Sequence, residues 1–473
     1  MPSKFIYKDY SLGLATDLYQ ITMAYGYFKN NMADRWANFN LYFRNIPFNG
    51  QFAVASGLYS VVKYLQSLSE FWFSNSDLDY LHRLTGNDGN KLFDKDFLDF
   101  LQAIELKVSI QAIPEGTPVF GHEPLLTVSG PLAQCQLLET ALLNQINFNT
   151  LIATKAYRVC QAAGKDPVFD FGFRRGQGFD GALSASRACY VGGCAGTSNV
   201  LASKMYGIPV KGTMAHSWIM SFESEYQAMK TYVEAMPNNS VLLVDTYDTL
   251  TGVQHAIEAG RILKQMGHDL SGIRLDSGDL SALSKKARAM LDEAGFAKTI
   301  IIASNDLDEK EIIRLKDSGA RIDAWGVGTK LITAYDQPAL GGVYKLSAIQ
   351  RANGKTEDVI KTSVKNPEKA SLPGIQQVRR FTNVSNNTYS NDVIYDSRTE
   401  DPTSAPFYKH EDLLQDVYEN GQLVAELPGI EEIRKRLADS VCHFDWNNSP
   451  VYPVVLSQGI SSSREKLTTY VRQ

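Results

Sequence analysis

Side chains able to do chemistry gather at six places between residues 168 and 330, each at or just after a short apolar or β-branched run. Arg174 and Arg175 follow "VFDFGF", His216 and Ser217 follow "IPVKGT", and Asp245 and Asp248 lie in "SVLLVDTYD". Arg274, Asp276, Ser277, Gly278 and Asp279 form "RLDSGD", Asn305 and Asp306 end "TIIIASND", and Gly326, Gly328 and Thr329 lie in "WGVGT". Guanidinium forks grip phosphate or carboxylate in bidentate fashion. Carboxylates such as Asp245 and Asp276 can hold Mg²⁺ or a developing positive charge. Glycines at a strand end followed by a hydroxyl residue expose backbone N–H groups that cradle a phosphate. An imidazole adds a nucleophile usable near neutral pH. The inventory suits an anionic, phosphorylated sugar substrate.

Plainer readings compete with each residue. Acidic and hydroxyl residues after a strand are common helix caps, and Asp279, Asp306 and Asp308 fit that use. A lone histidine is usually structural. Tyr19 sits on a helical stripe with Leu18, Thr22, Tyr25 and Phe28 and reads as a core or interface ring, while Phe171 reads as packing inside a sheet. Agreement among six strand ends favours function for the set.

Several motifs are excluded. "GQGFDG" (Gly176 to Gly181) matches G-x-G-x-x-G, yet no Asp or Glu lies between Arg187 and Phe222 to meet a ribose, so a glycine loop beside Arg174 and Arg175 is expected instead of a dinucleotide site. Walker, zinc-protease and nucleophile-elbow patterns are missing as well.

The runs themselves imply the scaffold. They recur every few tens of residues with helix-compatible stretches between them, the rhythm of βα units. Uninterrupted apolar stretches such as "VLLV" and "IIIA" suit parallel strands buried on both faces. The expected fold is α/β: an irregular (β/α) barrel with a smaller β-rich domain formed from N-terminal and C-terminal segments. Expected bounds are an N-terminal α+β domain over 1–145, the barrel over 146–345 and a C-terminal extension over 346–473. Within the first, Leu106–Pro131 reads as short antiparallel strands, and Leu132–Thr154 as a helix leading into the barrel. In the last, "KTSVKNPEKASLPG" is basic enough to close over phosphates.

A chain of 473 residues, 44% apolar, can bury more than one core. Its net charge of −5 argues against nucleic acid or anionic membrane as a general partner, so any anion site must be local. Five cysteines without C-x-x-C spacing suit a reducing compartment. With no apolar leader segment at the start, the expectation is a cytoplasmic, soluble chain.

Six motifs taken together resemble the nicotinate phosphoribosyltransferase family: "ATDLYQITMAYGYF", "FDFGFRRGQG", "GTMAHSW", "VDTYDT", "IRLDSGDL" and "GVGTKL", in that order over residues 15 to 331. The resemblance implies a type II phosphoribosyltransferase working as a homodimer. It implies an enzyme, classed as a ligase, that converts nicotinate and phosphoribosyl pyrophosphate to nicotinate mononucleotide and pyrophosphate with coupled ATP hydrolysis, the first step of NAD salvage from nicotinate. Mg²⁺ is the implied cofactor and ATP a co-substrate.

Carried over by residue, the resemblance makes His216 the side chain phosphorylated by ATP and assigns catalysis to it with Arg174, Arg274 and Asp276. Tyr19, from the partner subunit, and Phe171 would sandwich the pyridine, with Arg174 and Ser217 beside it. Asp245, Asp248, Arg274, Ser277, Gly278, Gly326, Gly328 and Thr329 would hold phosphoribosyl pyrophosphate, with Mg²⁺ near Asp245 and Asp276. The neutral "GTSN" at Gly196–Asn199 favours a carboxylate over a carboxamide. Alternatives are a type II enzyme using nicotinamide or quinolinate, and a non-catalytic barrel that binds a phosphorylated metabolite.

Overall fold

The structure, a computed structural model, describes residues 11–362, 370–403, 406–446 and 451–471. Half of the basic segment "KTSVKNPEKASLPG", residues 363–369, lies outside the described residues. The chain divides into two compact units: Met1–Leu151 with Ala339–Gln473, and Ile152–Pro338.

In the first unit, N- and C-terminal segments build one sheet. Strand Trp36–Tyr42 pairs antiparallel with Leu126–Pro131 on one side and with Val343–Gln350 on the other. Its inner positions Ala37, Phe39 and Leu41 are buried. A separate four-stranded sheet comes from the C-terminal segment, with Gln376–Asn383 and Tyr389–Asp396 at its centre. The β-rich part assembled from both ends of the chain is therefore present. The expected helix Leu132–Thr154 is broken at Leu138 into Leu132–Leu137 and a longer helix, Glu139–Ala163.

The second unit is the α/β part. Its parallel strands are β1 (Val168–Asp170), β2 (Gly196–Thr197), β3 (Val241–Leu243), β4 (Gly272–Leu275), β5 (Ile300–Ser304) and β6 (Ala324–Val327). Between and after them run α1 (Gly178–Val191), α2 (Val200–Tyr206), α3 (His216–Met220), α4 (Glu225–Ala235), α5 (Thr249–Gln265), α6 (Leu280–Glu293), α7 (Glu309–Asp317) and α8 (Thr329–Ile332). Strand order in the sheet is β2-β1-β6-β5-β4-β3. That order is chain order read around a ring, with the first strand β1 paired to the last strand β6. A further parallel bridge joins Thr197 to Val210. Among the described residues the ladder is interrupted at one seam, between Val210 and β3. Leu242, Leu243, Ile273, Leu275, Ile301, Ala303, Trp325 and Val327 are fully buried, as parallel strands covered on both faces must be.

Three helix starts are fixed by an aspartate near a strand tip. Asp248, Asp279 and Asp308 accept the backbone N–H of Thr251, Ala282 and Glu311, capping α5, α6 and α7. Asp306 is not a cap: the cap must be the extended residue directly before the first helical one, and that residue is Asp308. Nor does "GQGFDG" stay a loop, since α1 begins at Gly178.

Candidate active site

Five predicted residues meet at the tips of β3 and β4 and the start of α3. Asp245, just past β3, accepts the Asp276 backbone N–H at 2.8 Å and the Ser277 hydroxyl at 2.7 Å, both on Oδ2. Asp245 is 7% exposed, and its Oδ1 has no hydrogen-bond partner. A desolvated carboxylate oxygen without a donor is costly unless a ligand meets it. Asp276 accepts a short hydrogen bond from Ser304 on Oδ1 and stands 3.7 Å from the Arg274 guanidinium. Its Oδ2 lies 3.6 Å from His216 Nε2. The other ring nitrogen, Nδ1, is 3.2 Å from the Thr246 hydroxyl, and the His216 side chain is 38% exposed. Thr246 and Asp276 therefore orient the imidazole from both sides while leaving it open to a ligand.

Arg274 is aimed by Thr213, whose hydroxyl accepts at 2.6 Å, and by the Met214 carbonyl at 3.4 Å. Burial lowers its pKa, Asp276 and Asp245 pull it up, and the nearby Arg174 charge lowers it again. Arginine stays protonated across accessible pH, so the result is a poorly hydrated cation whose attraction for an anion is little damped by water.

The β1 tip carries a second group of predicted residues. Phe171 donates its backbone N–H to Val327 on β6, and its ring lies against Gly326, where a Cβ would come within 2.5 Å of the ring carbons. Only glycine at 326 leaves room for the aromatic side chain. Buried Asp170 accepts from Gly172 N–H, Ser186 Oγ and Thr197 Oγ1 at 2.7–2.8 Å. Its backbone carbonyl takes the Ser198 N–H at 2.8 Å. Of the expected "GTSN" group, Gly196, Thr197 and Asn199 are buried and Ser198 is half-buried.

Other predicted residues lie outside this hydrogen-bonded network, although the Arg174 charge acts on Arg274. Arg174 and Arg175 are exposed on the single turn Phe173–Arg175, and Ser217 is exposed on α3. Asp248 is engaged by α5, with both the backbone N–H and the hydroxyl of Thr251 on its Oδ1. Gly278 has φ +77°, a turn conformation that suits glycine. Gly328 caps α8, whose first residue is Thr329, and the next residue, Lys330, pairs with Asp308 at 2.9 Å. Tyr19 belongs to the first unit, on helix Leu18–Lys29, where it is 47% exposed.

Thr213, Thr246, Ser304 and Asp170 were not singled out from the sequence. A hydroxyl or carboxylate at a strand end also suits a turn, so only the pairing of strand tips reveals them. The first unit holds another group without a sequence signal, a cluster of cations. Burial lowers the Lys345 pKa, Glu139 opposes, and Arg44 and Lys361 lower it further. Burial likewise lowers that of His122, with Arg44 and Arg464 adding to it.

Mg²⁺ fits the oxygen set of the second unit. The orphaned Asp245 Oδ1 and the adjacent Asp276 are hard donors, and Mg²⁺ is commonly held by one or two carboxylates together with substrate phosphates. Among the described residues no cluster of three or more His, Cys, Asp or Glu forms an all-protein metal cage.

Comparison with known proteins covers most of the chain. Residues 14–147 match the profile of the nicotinate phosphoribosyltransferase N-terminal domain, 167–393 that of the nicotinate phosphoribosyltransferase family, and 386–463 that of its C-terminal domain. The chain is 43% identical to a nicotinate phosphoribosyltransferase of Bacillus subtilis, covering 97% of this chain and 95% of that one. It is 38% identical to that of Dictyostelium discoideum over 89% and 81% of the two chains. The crystal structure of human nicotinic acid phosphoribosyltransferase superposes with a TM-score of 0.80 at 30% identity, covering 96% of this chain and 99% of that one. Sequence profile, relatives and fold agree, and the chain belongs to the nicotinate phosphoribosyltransferase family.

Proposed function

We infer that this protein is an enzyme of NAD salvage that forms nicotinate mononucleotide and pyrophosphate from nicotinate and phosphoribosyl pyrophosphate. The observation that carries the reading is the joined set Asp245, Asp276, Arg274 and His216, one network at adjacent strand tips with an unmet carboxylate oxygen and a poorly hydrated guanidinium. Transfer needs charge neutralised at the departing pyrophosphate and positive charge supported at the ribose carbon. Arg274 and Arg174 attract the phosphates, and Asp276 faces the cationic sugar. The Gly328–Thr329 turn receives the 5-phosphate. Phe171 stacks on the pyridine, whose nitrogen attacks the anomeric carbon as the bond to pyrophosphate breaks. Mg²⁺, held by Asp245 and Asp276 with the substrate phosphates, would neutralise pyrophosphate charge when bound.

ATP coupling belongs to the same proposal. A His216 nitrogen lone pair attacks the terminal phosphorus, the bond to ADP breaks with its electrons on ADP, and Asp276 stabilises the positive charge gained by the ring. Hydrolysis of the phosphohistidine later returns inorganic phosphate. We extend the proposal to a cytoplasmic homodimer in which Tyr19 reaches the partner's pyridine. Leu18, Tyr19 and Met23 expose an apolar strip on helix Leu18–Lys29 that a second copy would cover. Among the described residues no helix is long and apolar enough to cross a membrane.

The deciding assay compares nicotinate with nicotinamide, with and without ATP labelled at its terminal phosphate. Expected are preference for nicotinate, stimulation by ATP, and an acid-labile label lost in His216→Ala. Native ATP stimulation in that variant refutes the coupling, and turnover of nicotinamide alone refutes the substrate. Light scattering should give twice the chain mass for wild type and a monomer for Leu18→Arg.

A further inference from the structure

Asp170 is a fully buried carboxylate, and among the described residues it has no cationic partner. Burial raises its pKa, and its three hydrogen bonds, from Thr197, Gly172 and Ser186, pull it back down. A carboxylate desolvated to this degree is a cost to the fold unless its hydrogen bonds offset it. The question is what its three bonds hold.

The donors come from three elements. Gly172 N–H on Oδ1 fixes the turn directly after Phe171. The Thr197 hydroxyl on Oδ2 fixes the end of β2, one residue before Ser198, and the Asp170 carbonyl holds the Ser198 N–H itself. The Ser186 hydroxyl on Oδ2 ties in α1. The direction of these bonds is set from outside. Thr197 Oγ1 already accepts the Asn199 N–H at 3.0 Å, and Ser186 Oγ already accepts Asn199 Nδ2 at 3.2 Å. Both hydroxyls have Asp170 as their nearest acceptor, Thr197 with a longer alternative at Ser186 Oγ (3.5 Å), and the backbone N–H makes a third donor. A carboxylate accepts from all three, whereas an amide offers a single acceptor oxygen and would set its NH2 against one of these donors.

We propose that Asp170 is the positioning residue of the pyridine subsite, fixing the Phe171 ring and the Ser198 turn as one unit. The proposal rests on the reading that Phe171 stacks on nicotinate. Phe171 and Ser198 are half-buried, whereas Asp170, Thr197 and Asn199 are buried behind them. The carboxylate touches no substrate and acts through these two neighbours. It belongs to binding of the pyridine and leaves the phosphoribosyl half of the site to Arg274, Asp276 and Asp245.

Asp170→Asn, Asp170→Ala and Ser186→Ala, assayed with each substrate varied in turn, test this. In Asp170→Asn the KM for nicotinate should rise about tenfold, while the KM for phosphoribosyl pyrophosphate stays within about twofold and the melting temperature falls by only about a few degrees, the cost of one unmet buried donor. Ser186→Ala removes one of the two hydroxyl donors on Oδ2 and should raise the nicotinate KM by less than Asp170→Asn does, with the KM for phosphoribosyl pyrophosphate within about twofold of wild type. If Asp170→Ala fails to fold, the near-isosteric Asn variant decides. An unchanged nicotinate KM in Asp170→Asn, or an equal rise in both KM values, overturns the assignment. A wild type that turns over nicotinate while Asp170→Asn shows no split removes this inference alone. A wild type that ignores nicotinate removes the proposed function as well.

Discussion

Replacing Gly326 with alanine tests the pyridine wall at one atom. The new Cβ would stand 2.5 Å from Phe171 Cδ2 and 2.6 Å from Cε2, where ordinary contact begins at 3.4 Å. The ring must move by about 1 Å to relieve this. The Phe171 backbone cannot follow, because its N–H is bonded to the Val327 carbonyl at 2.9 Å. The displacement falls on the side-chain torsions, at a cost of about 0.5–1.5 kcal/mol for an off-rotamer angle. Loss of a well-stacked aromatic contact removes a similar amount, about 0.5–1.5 kcal/mol, from nicotinate binding. The nicotinate KM should therefore rise between about twofold and twelvefold. The KM for phosphoribosyl pyrophosphate should not change. Gly181→Ala is the control, since nothing lies within 4 Å of its added Cβ. Steady-state kinetics at saturating phosphoribosyl pyrophosphate, with thermal melting in parallel, reads the outcome. A Gly326→Ala enzyme with wild-type nicotinate KM would refute the stacking role of Phe171, as would a variant in which both KM values rise together.

Ser304→Ala frees one oxygen of Asp276 and should lower kcat about five- to tenfold with little change in melting temperature; unchanged kcat would show that Asp276 needs no such support. Asp245→Asn should raise the Mg²⁺ concentration giving half-maximal rate by about tenfold, and an unaltered Mg²⁺ titration would place the ion elsewhere. Asp308→Ala removes the α7 cap and should destabilise by about 1 kcal/mol at neutral pH, read by chemical denaturation. The pH dependence has a definite sign. Burial alone would raise the Asp308 pKa, but the Glu311 N–H and Lys330 hold it below the usual 3.8. A carboxyl depressed in the folded state adds stability above that value and loses it as pH falls through the folded pKa, so the variant's deficit should shrink in strong acid. A deficit constant with pH would mean that charge plays no part in the cap.

Parallel strands were legible because "VLLV" and "IIIA" are apolar without alternation, and alternation is required only of a strand with a wet face. The tip residues were legible as a set because each lies just past such a run. What each one touches was not legible. Asp245 and Asp248 lie three residues apart in one motif, yet the first turns inward to Asp276 and Ser277 while the second caps a helix. Nothing local separates them: the difference is which tip lies next to β4. Ser304 and Thr246 were invisible for the same reason. Asp170 was hidden differently, because in "FDFGF" it reads as the polar member of an alternating strand, whereas its surroundings are α1 and β2. The cationic cluster draws Arg44, Lys345 and Arg464 from opposite ends of the chain, which no motif can join.

The pairing of Trp36–Tyr42 with Val343–Gln350 has a consequence for how the chain is made. Asn38 and Ser347, bonded at 2.9 Å, are 309 residues apart in sequence. During synthesis, Trp36–Tyr42 leaves the ribosome with one neighbour at hand and its other edge bare until the whole α/β unit has followed. The entropy of closing so long a span grows only as its logarithm, so the equilibrium fold is little affected. The delay in time is proportional to length, and an apolar strand edge left waiting is a template for another chain. Early folding of Ile152–Pro338 as a body would shorten the effective span, because β1 and β6 at its two ends are hydrogen-bonded neighbours and return the chain close to where it left. The insertion thus acts as its own clamp: once β1 and β6 pair, its two ends are held near each other.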